Sequence, residues 1–123
     1  MTDLFPKPLR ALCRIEDIDD HGAKGFPSAN HRIPGLIAVR QGSDVVVFEN
    51  ACPHIGTPLD WVQGRFFSRD GKHLICATHG AVFVPGTGEC IAGPCRGDFL
   101  TRVTSEIQDG SVMIDPRYDR PPE

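Results

Sequence analysis

The sequence lacks the features that mark membrane-spanning, secreted or nucleic-acid-binding proteins. No apolar run approaches the roughly 18 residues that are needed to cross a bilayer. No basic run offsets the formal net charge of −3, which argues against a nucleic-acid partner. The N-terminal segment 1–10 contains two prolines and no apolar segment of the kind found in secretory signals. We therefore expect a cytoplasmic protein with neither a membrane nor a nucleic-acid partner.

Helical periodicity is missing as well. No stretch has a sustained 3.6-residue apolar period, and no internal repeat of fixed length is visible. Short apolar and β-branched runs instead recur about every 8 to 12 residues, with turn residues between them. This pattern predicts an all-β antiparallel sandwich or barrel. With 123 residues, of which 40% are hydrophobic, the chain is expected to form a single domain over 1–123.

The expected core of this domain covers about 11–115, between a loose arm at 1–8 and a poorly ordered tail at 116–123. The first predicted strand is 11–15, and four hairpins follow it. Their predicted strands are 35–40 with 44–49, 65–68 with 72–77, 81–84 with 89–92, and 100–107 with 111–115. The first hairpin is predicted to turn through the three residues Gln41-Gly42-Ser43.

Two short motifs pair a thiol with an imidazole. The candidate ligands are Cys52, His54, Cys76 and His79, with 21 residues between the two motifs. One residue between Cys52 and His54 is tight for a single zinc ion, whose paired ligands usually lie two to four residues apart. A [2Fe–2S] cluster with both thiolates on one iron and both imidazoles on the other fits this spacing better. A zinc site with two Cys and two His ligands is the alternative.

The residues around these motifs resemble a known family, the Rieske-type ferredoxins. The resemblance is carried by ACPHIGTPLDW at 51–61, CATHGAVF at 76–83 and the pair Gly93-Pro94, and it covers about 12–113. It implies one Rieske [2Fe–2S] cluster per chain, held by a small subdomain at about 50–97 that is inserted in an antiparallel β body. In the family a proline loop like the one at Gly93-Pro94 covers the cluster, and the turn glycines Gly56 and Gly80 are assigned to the same cover.

The resemblance also implies a function, which is that of a one-electron carrier and not of an enzyme. The expected donor is a flavin reductase and the expected acceptor is a terminal oxygenase. A small Rieske subunit of a larger oxidoreductase, similar to the nitrite reductase small subunit, is the alternative, and a zinc-binding module without redox activity is a third. A terminal oxygenase is not expected, because the Rieske domain leaves no room for a mononuclear iron site.

The expected reduction potential is low, near the bottom of the Rieske range at about −150 mV. High-potential relatives place hydroxyl side chains two and four residues after the second ligand histidine, where they donate hydrogen bonds to the cluster region. The matching positions here are Ala81 and Phe83, which carry no hydroxyl. Fewer hydrogen bonds to the sulfur atoms stabilise the reduced state less, and this lowers the potential.

The spacing between the motifs departs from the family pattern. The 21-residue gap is longer than is usual for dioxygenase ferredoxins, and the surplus lies at 60–72. Trp61, Phe66 and Phe67 in this stretch are expected either to cover the core of the subdomain or to contact a partner.

Cys90 and Cys95 flank the proline loop, and three interpretations remain open for them. They are two structural thiols, a local disulfide, or a pair with a redox or metal-binding role. The odd total of five cysteines indicates a reducing compartment, in which a disulfide is disfavoured.

Overall fold

The computed structural model describes residues 9–27, 35–53, 56, 59–60, 66–68, 71–76 and 80–118. Regular structure in these residues is β-strand or 3-10 helix, so the predicted all-β class is confirmed. Within the described part of the chain, no helix is long and apolar enough to span a membrane. The strands are β1 (Arg10–Arg14), β2 (Ala23–Phe26), β3 (Leu36–Gln41), β4 (Asp44–Glu49), β5 (Leu74–Ile75), β6 (Val82–Phe83), β7 (Cys90–Ala92), β8 (Arg102–Val103), β9 (Ser105–Gln108) and β10 (Ser111–Ile114).

These strands form three antiparallel sheets. Their orders are β2-β3-β4-β8, β1-β10-β9 and β5-β6-β7. Strands β4 and β8 are neighbours, with Val47 opposite Val103, although β5, β6 and β7 lie between them in sequence. The chain therefore leaves the central sheet after β4, builds the small third sheet, and returns beside the strand that it left.

The central strand β3 separates two hydrophobic cores because its side chains alternate between the faces of the sheet. Ile37 and Val39 face a core that contains Phe48, Leu74 and Phe83. Leu36 and Ala38 face the other core, which is completed by side chains from β4, β8 and β10. The first core joins the central sheet to the β5-β6-β7 sheet, so it fixes the small sheet on the body.

The hairpin between β3 and β4 is tighter than predicted. Gln41 pairs directly with Asp44, which leaves Gly42 and Ser43 as a two-residue turn in place of the predicted three residues. Gly42 has a φ of +67°. Two-residue hairpin turns require positive φ at their first central position, and glycine adopts it without strain.

The predicted strand 100–107 is divided into β8 and β9 at Thr104. Val103 pairs with β4 in the central sheet, whereas β9 pairs with β10 in a different sheet. The Thr104 carbonyl accepts a hydrogen bond from the Asp115 backbone N–H at 3.2 Å, which extends the β9–β10 register by one residue. The apolar pattern predicted an extended segment, but it did not predict that this segment changes sheets.

The C-terminal segment is ordered further than predicted. Pro116–Tyr118 forms a turn of 3-10 helix, and the Tyr118 hydroxyl donates a hydrogen bond to Glu49 Oε2 at 2.6 Å. Residues 116–118, which were predicted to belong to the tail, are therefore attached to the body. Residues 119–123 and the predicted arm at 1–8 lie outside the described residues.

Candidate metal centre

The two cysteines predicted as ligands are both buried in the core beneath the small sheet. Cys52 is 1% exposed and Cys76 is 0% exposed. Cys52 follows β4 closely and Cys76 follows β5 directly, so each ligand loop starts from a strand of the framework. The predicted partners His54 and His79 lie outside the described residues. Among the described residues, no group of three or more His, Cys, Asp or Glu side chains could hold a metal ion.

Both ligand loops make the same backbone turn. The Gly56 N–H donates to the Cys52 carbonyl at 2.7 Å, and the Gly80 N–H donates to the Cys76 carbonyl at 2.8 Å. These glycines have φ values of +78° and +70°. Such a bond, from residue i+4 to residue i, closes a five-residue turn, and each turn ends at a glycine with positive φ. Each turn starts at a candidate cysteine ligand. In the sequence, the candidate histidine ligand lies between that cysteine and the glycine that ends the turn.

The first ligand loop is closed at its base by Asn50. Asn50 Oδ1 accepts a hydrogen bond from the Leu59 N–H at 2.8 Å, and Asn50 Nδ2 donates to Asp60 Oδ1 at 3.0 Å. Asn50 lies outside the two Cys/His motifs and was not predicted to have a role. The available signal was an asparagine between a strand and a turn, because such a side chain readily bonds nearby backbone groups. Asp60, the only charged residue of 50–62, has a structural contact through Asn50.

The second ligand loop is closed by the hairpin of β5 and β6. Leu74 pairs with Phe83, and the Cys76 N–H donates to the Ala81 carbonyl at 2.8 Å. Ala81 and Phe83 are both 0% exposed. These are the two positions at which the sequence lacks a hydroxyl group, and their apolar side chains fill the core beside the loop.

The proline loop presses against the second ligand loop. A Cβ atom at Gly93 would lie 2.7 Å from the Ala81 Cα atom, and Gly93 has a φ of +97°. The base of the loop is closed by Cys90, whose N–H donates to the Asp98 carbonyl at 2.8 Å and whose carbonyl accepts from the Gly97 N–H at 3.0 Å. Only glycine permits both this φ and this approach.

The lengthened stretch contributes to the core. Phe66 is 1% exposed, and Phe67 is partly buried against the same core. A Cβ atom at Gly25 of β2 would lie 2.9 Å from Phe66 Cζ, so the ring of Phe66 lies directly against the central sheet. The interpretation of Phe66 as core cover is confirmed. Trp61 lies outside the described residues.

Cys90 and Cys95 are thiols in contact with each other. The Cys95 thiol donates a hydrogen bond to Cys90 Sγ at 2.8 Å, and none of the five cysteines forms a disulfide. Burial, together with the hydrogen bond to Cys90, raises the pKa of Cys95 to about 12. The structure brings these two sulfur atoms together, and the three interpretations of the pair stay predictions.

The described half of the donor set fits a binuclear cluster. Two buried thiols, each at the start of an identical turn, supply one sulfur ligand per loop, and the histidine of each motif follows within the same turn. A sequence profile of the Rieske [2Fe–2S] domain family matches residues 10–107. This chain belongs to that family. Its cofactor is a Rieske-type [2Fe–2S] cluster and not zinc, and its chemistry is one-electron transfer.

Solved structures of similar shape include ferredoxins and a terminal oxygenase, of which the match covers 30% of the length. The Rieske domain is similar to the Sphingomonas yanoikuyae B1 ferredoxin with 27% identity and a TM-score of 0.65, over 87% of this chain and 97% of that one. The ferredoxin of carbazole 1,9a-dioxygenase from Nocardioides aromaticivorans IC177 has 20% identity and a TM-score of 0.66, with coverage of 89% and 97%. A chain from the complex of reduced oxygenase and oxidised ferredoxin in carbazole 1,9a-dioxygenase has 21% identity and a TM-score of 0.68, with coverage of 87% and 92%. No curated protein sequence matches this chain.

Proposed function

We propose that this Rieske protein relays single electrons from a flavin reductase to a terminal oxygenase and catalyses no reaction of its own. The observation that carries this proposal is the similarity to the Sphingomonas yanoikuyae ferredoxin over 97% of that chain's length. Support also comes from the solved complex of a similarly shaped chain, in which an oxygenase and a ferredoxin are bound to each other.

We assign the sulfur ligands to Cys52 and Cys76 and the nitrogen ligands to His54 and His79. The cluster supplies the site that gains and loses an electron. The chain's own residues shield this site from water and hold it in place. Cys52 and Cys76 are buried in the core, and the turns that end at glycine fix the two ligand loops. Gly56, Gly80, Gly93 and Pro94 belong to the loops that we assign to the cluster cover.

We assign the docking of redox partners to the surface beside the proline loop. Phe99 is 56% exposed and Ile91 is 39% exposed, although large apolar side chains are usually buried. Ile91 lies in β7, which leads into Gly93-Pro94, and Phe99 follows the return of the loop and pairs with Glu89. Apolar side chains surrounded by polar ones are typical of a protein-binding surface.

A cytoplasmic location is part of the same proposal. None of the five cysteines forms a disulfide in the structure, and this is typical of proteins from reducing compartments.

The experiment that tests the proposed function is affinity capture with the cluster-loaded protein. The bait is immobilised, cell extract is passed over it, and eluted proteins are identified by mass spectrometry. We expect a flavoprotein that reduces the bait with NADH or NADPH and an oxygenase that reoxidises it. Capture of one large oxidoreductase at fixed stoichiometry would instead support the alternative of a small Rieske subunit.

The ligand assignment is tested by single substitutions to alanine. The variants at Cys52, His54, Cys76 and His79 are each expected to lose the visible absorption of the cluster. The matched control is Cys13→Ala, because Cys13 lies in β1 and packs against the other core. Iron and acid-labile sulfide should fall towards zero in the four variants and stay at two of each per chain in the control.

A further inference from the structure

A cavity of about 270 Å³ opens at the end of the central sheet that lies away from the ligand loops. It is lined by the end of β3, by the stretch that contains Phe67 and Lys72, and by Pro85 in the turn between β6 and β7. Strand β3 turns into β4 at this end, whereas Cys52 follows the other end of β4. The proposed function depends on the ligand loops and gives this cavity no role.

The lengthened stretch at 60–72 builds one wall of this cavity. Phe67 forms an antiparallel bridge with Leu74, which fixes the stretch beside the small sheet. Phe67 also lies partly buried against the core that contains Val39. Together with Pro85, these side chains give the cavity an apolar wall that includes one aromatic ring. The residues that lengthen the chain between the two ligand motifs therefore create a surface that could hold a ring.

Nitrogen-bearing side chains from three separate segments lie around the same cavity, and they are His21, Arg40 and Lys72. Among the described residues that line the cavity, none carries a carboxylate. Asp20 is a nearby acid, but its Oδ1 atom accepts a hydrogen bond from the Gly42 N–H at 2.8 Å and lies 3.7 Å from His21 Nε2. The two cations, Arg40 and Lys72, exceed this single negative charge, so the described rim attracts anions.

Arg40 is held in place by the protein itself. Its Nε atom donates a hydrogen bond to the Gly42 carbonyl at 2.7 Å, and its Nη1 atom donates to the Ile18 carbonyl at 2.9 Å. Within the described part of the chain, no hydrogen bond uses its Nη2 group. A guanidinium that is already fixed loses little side-chain entropy when it binds an anion, and its planar shape matches that of a carboxylate.

The backbone at His21 is a second sign of a ligand site. His21 has a φ of +59°, in a turn that is closed by the Gly22 N–H and the Asp19 carbonyl at 2.8 Å. A left-handed backbone costs free energy in a residue with a Cβ atom, and glycine avoids this cost. Residues that are held in such conformations are concentrated at ligand sites. The chain thus has an imidazole at the rim of the cavity where glycine would fit the backbone better.

We propose that this cavity binds a small aromatic carboxylate. Arg40 and Lys72 bind the carboxylate group, His21 is a further donor at the rim, and the ring packs against Phe67 and Pro85. The volume of about 270 Å³ lies just below the usual range of about 300–1,000 Å³ for ligand pockets, so the ligand is about one ring in size. The proposal does not depend on the cluster ligands, because the cavity lies at the other end of β4.

The first test needs no substitution. The cluster-loaded protein is labelled with nitrogen-15 and titrated with benzoate, and the backbone amides of Gln41, Gly71 and Lys72 are followed by NMR. We expect saturable shifts at these amides, with a dissociation constant of about 1 mM. Benzyl alcohol keeps the ring without the charge, and inorganic phosphate is an anion without a ring, so each should bind at least about tenfold more weakly. The absence of saturable shifts, or equal binding of either comparison compound, would overturn the proposal.

Matched lysine substitutions then locate the binding. Lys72→Gln removes a positive charge from the rim and should raise the dissociation constant for benzoate about fivefold. Lys24→Gln is the control, because Lys24 pairs with Ala38 and so lies on the face of the central sheet that is turned to the other core. This control should change the constant by less than about twofold. An equal effect of the two substitutions would overturn the proposal. The proposed function fails separately, through the absence of iron and sulfide.

Discussion

Gly93 of the proline loop approaches Ala81 of the second ligand loop so closely that a side chain cannot fit between them. A Cβ atom at residue 93 would lie 2.7 Å from the Ala81 Cα atom and 3.2 Å from its backbone nitrogen. The atoms in the way belong to the backbone, which cannot move aside as a flexible side chain can. The approach joins the loop that we assign to the cluster cover with one of the two loops that we assign to the ligands.

Gly93→Ala should therefore impair cluster binding as well as folding. We expect a loss of unfolding free energy of about 3 kcal/mol, from positive-φ strain and overpacking, together with a fall in iron content. Gly97→Ala is the matched control, because Gly97 also has a positive φ of +94° but nothing lies within 4 Å of its Cβ position. This control should lose about 1 kcal/mol and keep its iron. Equal losses in both variants would show that the close approach has no effect of its own.

Asn50→Ala should loosen the first ligand loop. The change removes one hydrogen bond to the Leu59 N–H and one to Asp60, and both are partly buried. We expect a loss of about 2 kcal/mol of unfolding free energy and a faster loss of cluster absorbance during incubation with an iron chelator. Gln108→Ala, which removes an exposed hydrogen bond to Glu106, should cost less than about 0.5 kcal/mol and leave this rate unchanged. Equal chelation rates in both variants would contradict the role given to Asn50.

Asp20 should stabilise the protein in a pH-dependent way. Its carboxylate accepts a hydrogen bond from the Gly42 N–H at 2.8 Å, and this bond, with the nearby His21 and Arg40, lowers the pKa of Asp20. A lowered pKa in the folded state means that the stabilisation is present above the unfolded pKa of about 3.9 and is lost as the pH falls through the folded value.

Asp20→Asn should accordingly lower the melting temperature by a small amount at pH 7, and the difference should narrow as the pH falls below about 4. Asp19→Asn removes the same charge at a neighbouring exposed position and serves as the control. A melting difference for Asp20→Asn that widens with falling pH would have the wrong sign for this mechanism.

Phe99→Ala should weaken binding of the acceptor without changing the cluster. The ring is 56% exposed beside the proline loop, so its removal costs little internal packing. We expect the dissociation constant for the captured oxygenase to rise about fivefold, which corresponds to about 1 kcal/mol, with an unchanged absorption spectrum. Ile107→Ala is the control, since Ile107 is 38% exposed but lies in β9 of another sheet. A comparable effect in both variants would place the docking surface elsewhere.

The sequence predicted the β class and most hairpins because their strands alternate and their turns contain glycine at positive φ, as at Gly42 and Gly110. It did not predict the division at Thr104, since a local apolar pattern carries no information about which sheet each half joins. The ligand motifs could be predicted from the sequence because thiol and imidazole side chains are characteristic metal ligands. The Asn50 bridge was not predicted, because it depends on contacts with Leu59 and Asp60 across the first ligand loop.

An EPR-monitored redox titration of the purified protein tests the central claim most directly. If two thiolates hold one iron and two imidazoles hold the other, the reduced protein should give a rhombic signal with an average g below 2 that integrates to one spin per two irons. The signal should appear with a midpoint near the bottom of the Rieske range, at about −150 mV. A protein that contains zinc without iron and gives no signal, or one whose midpoint is strongly positive, would contradict the account.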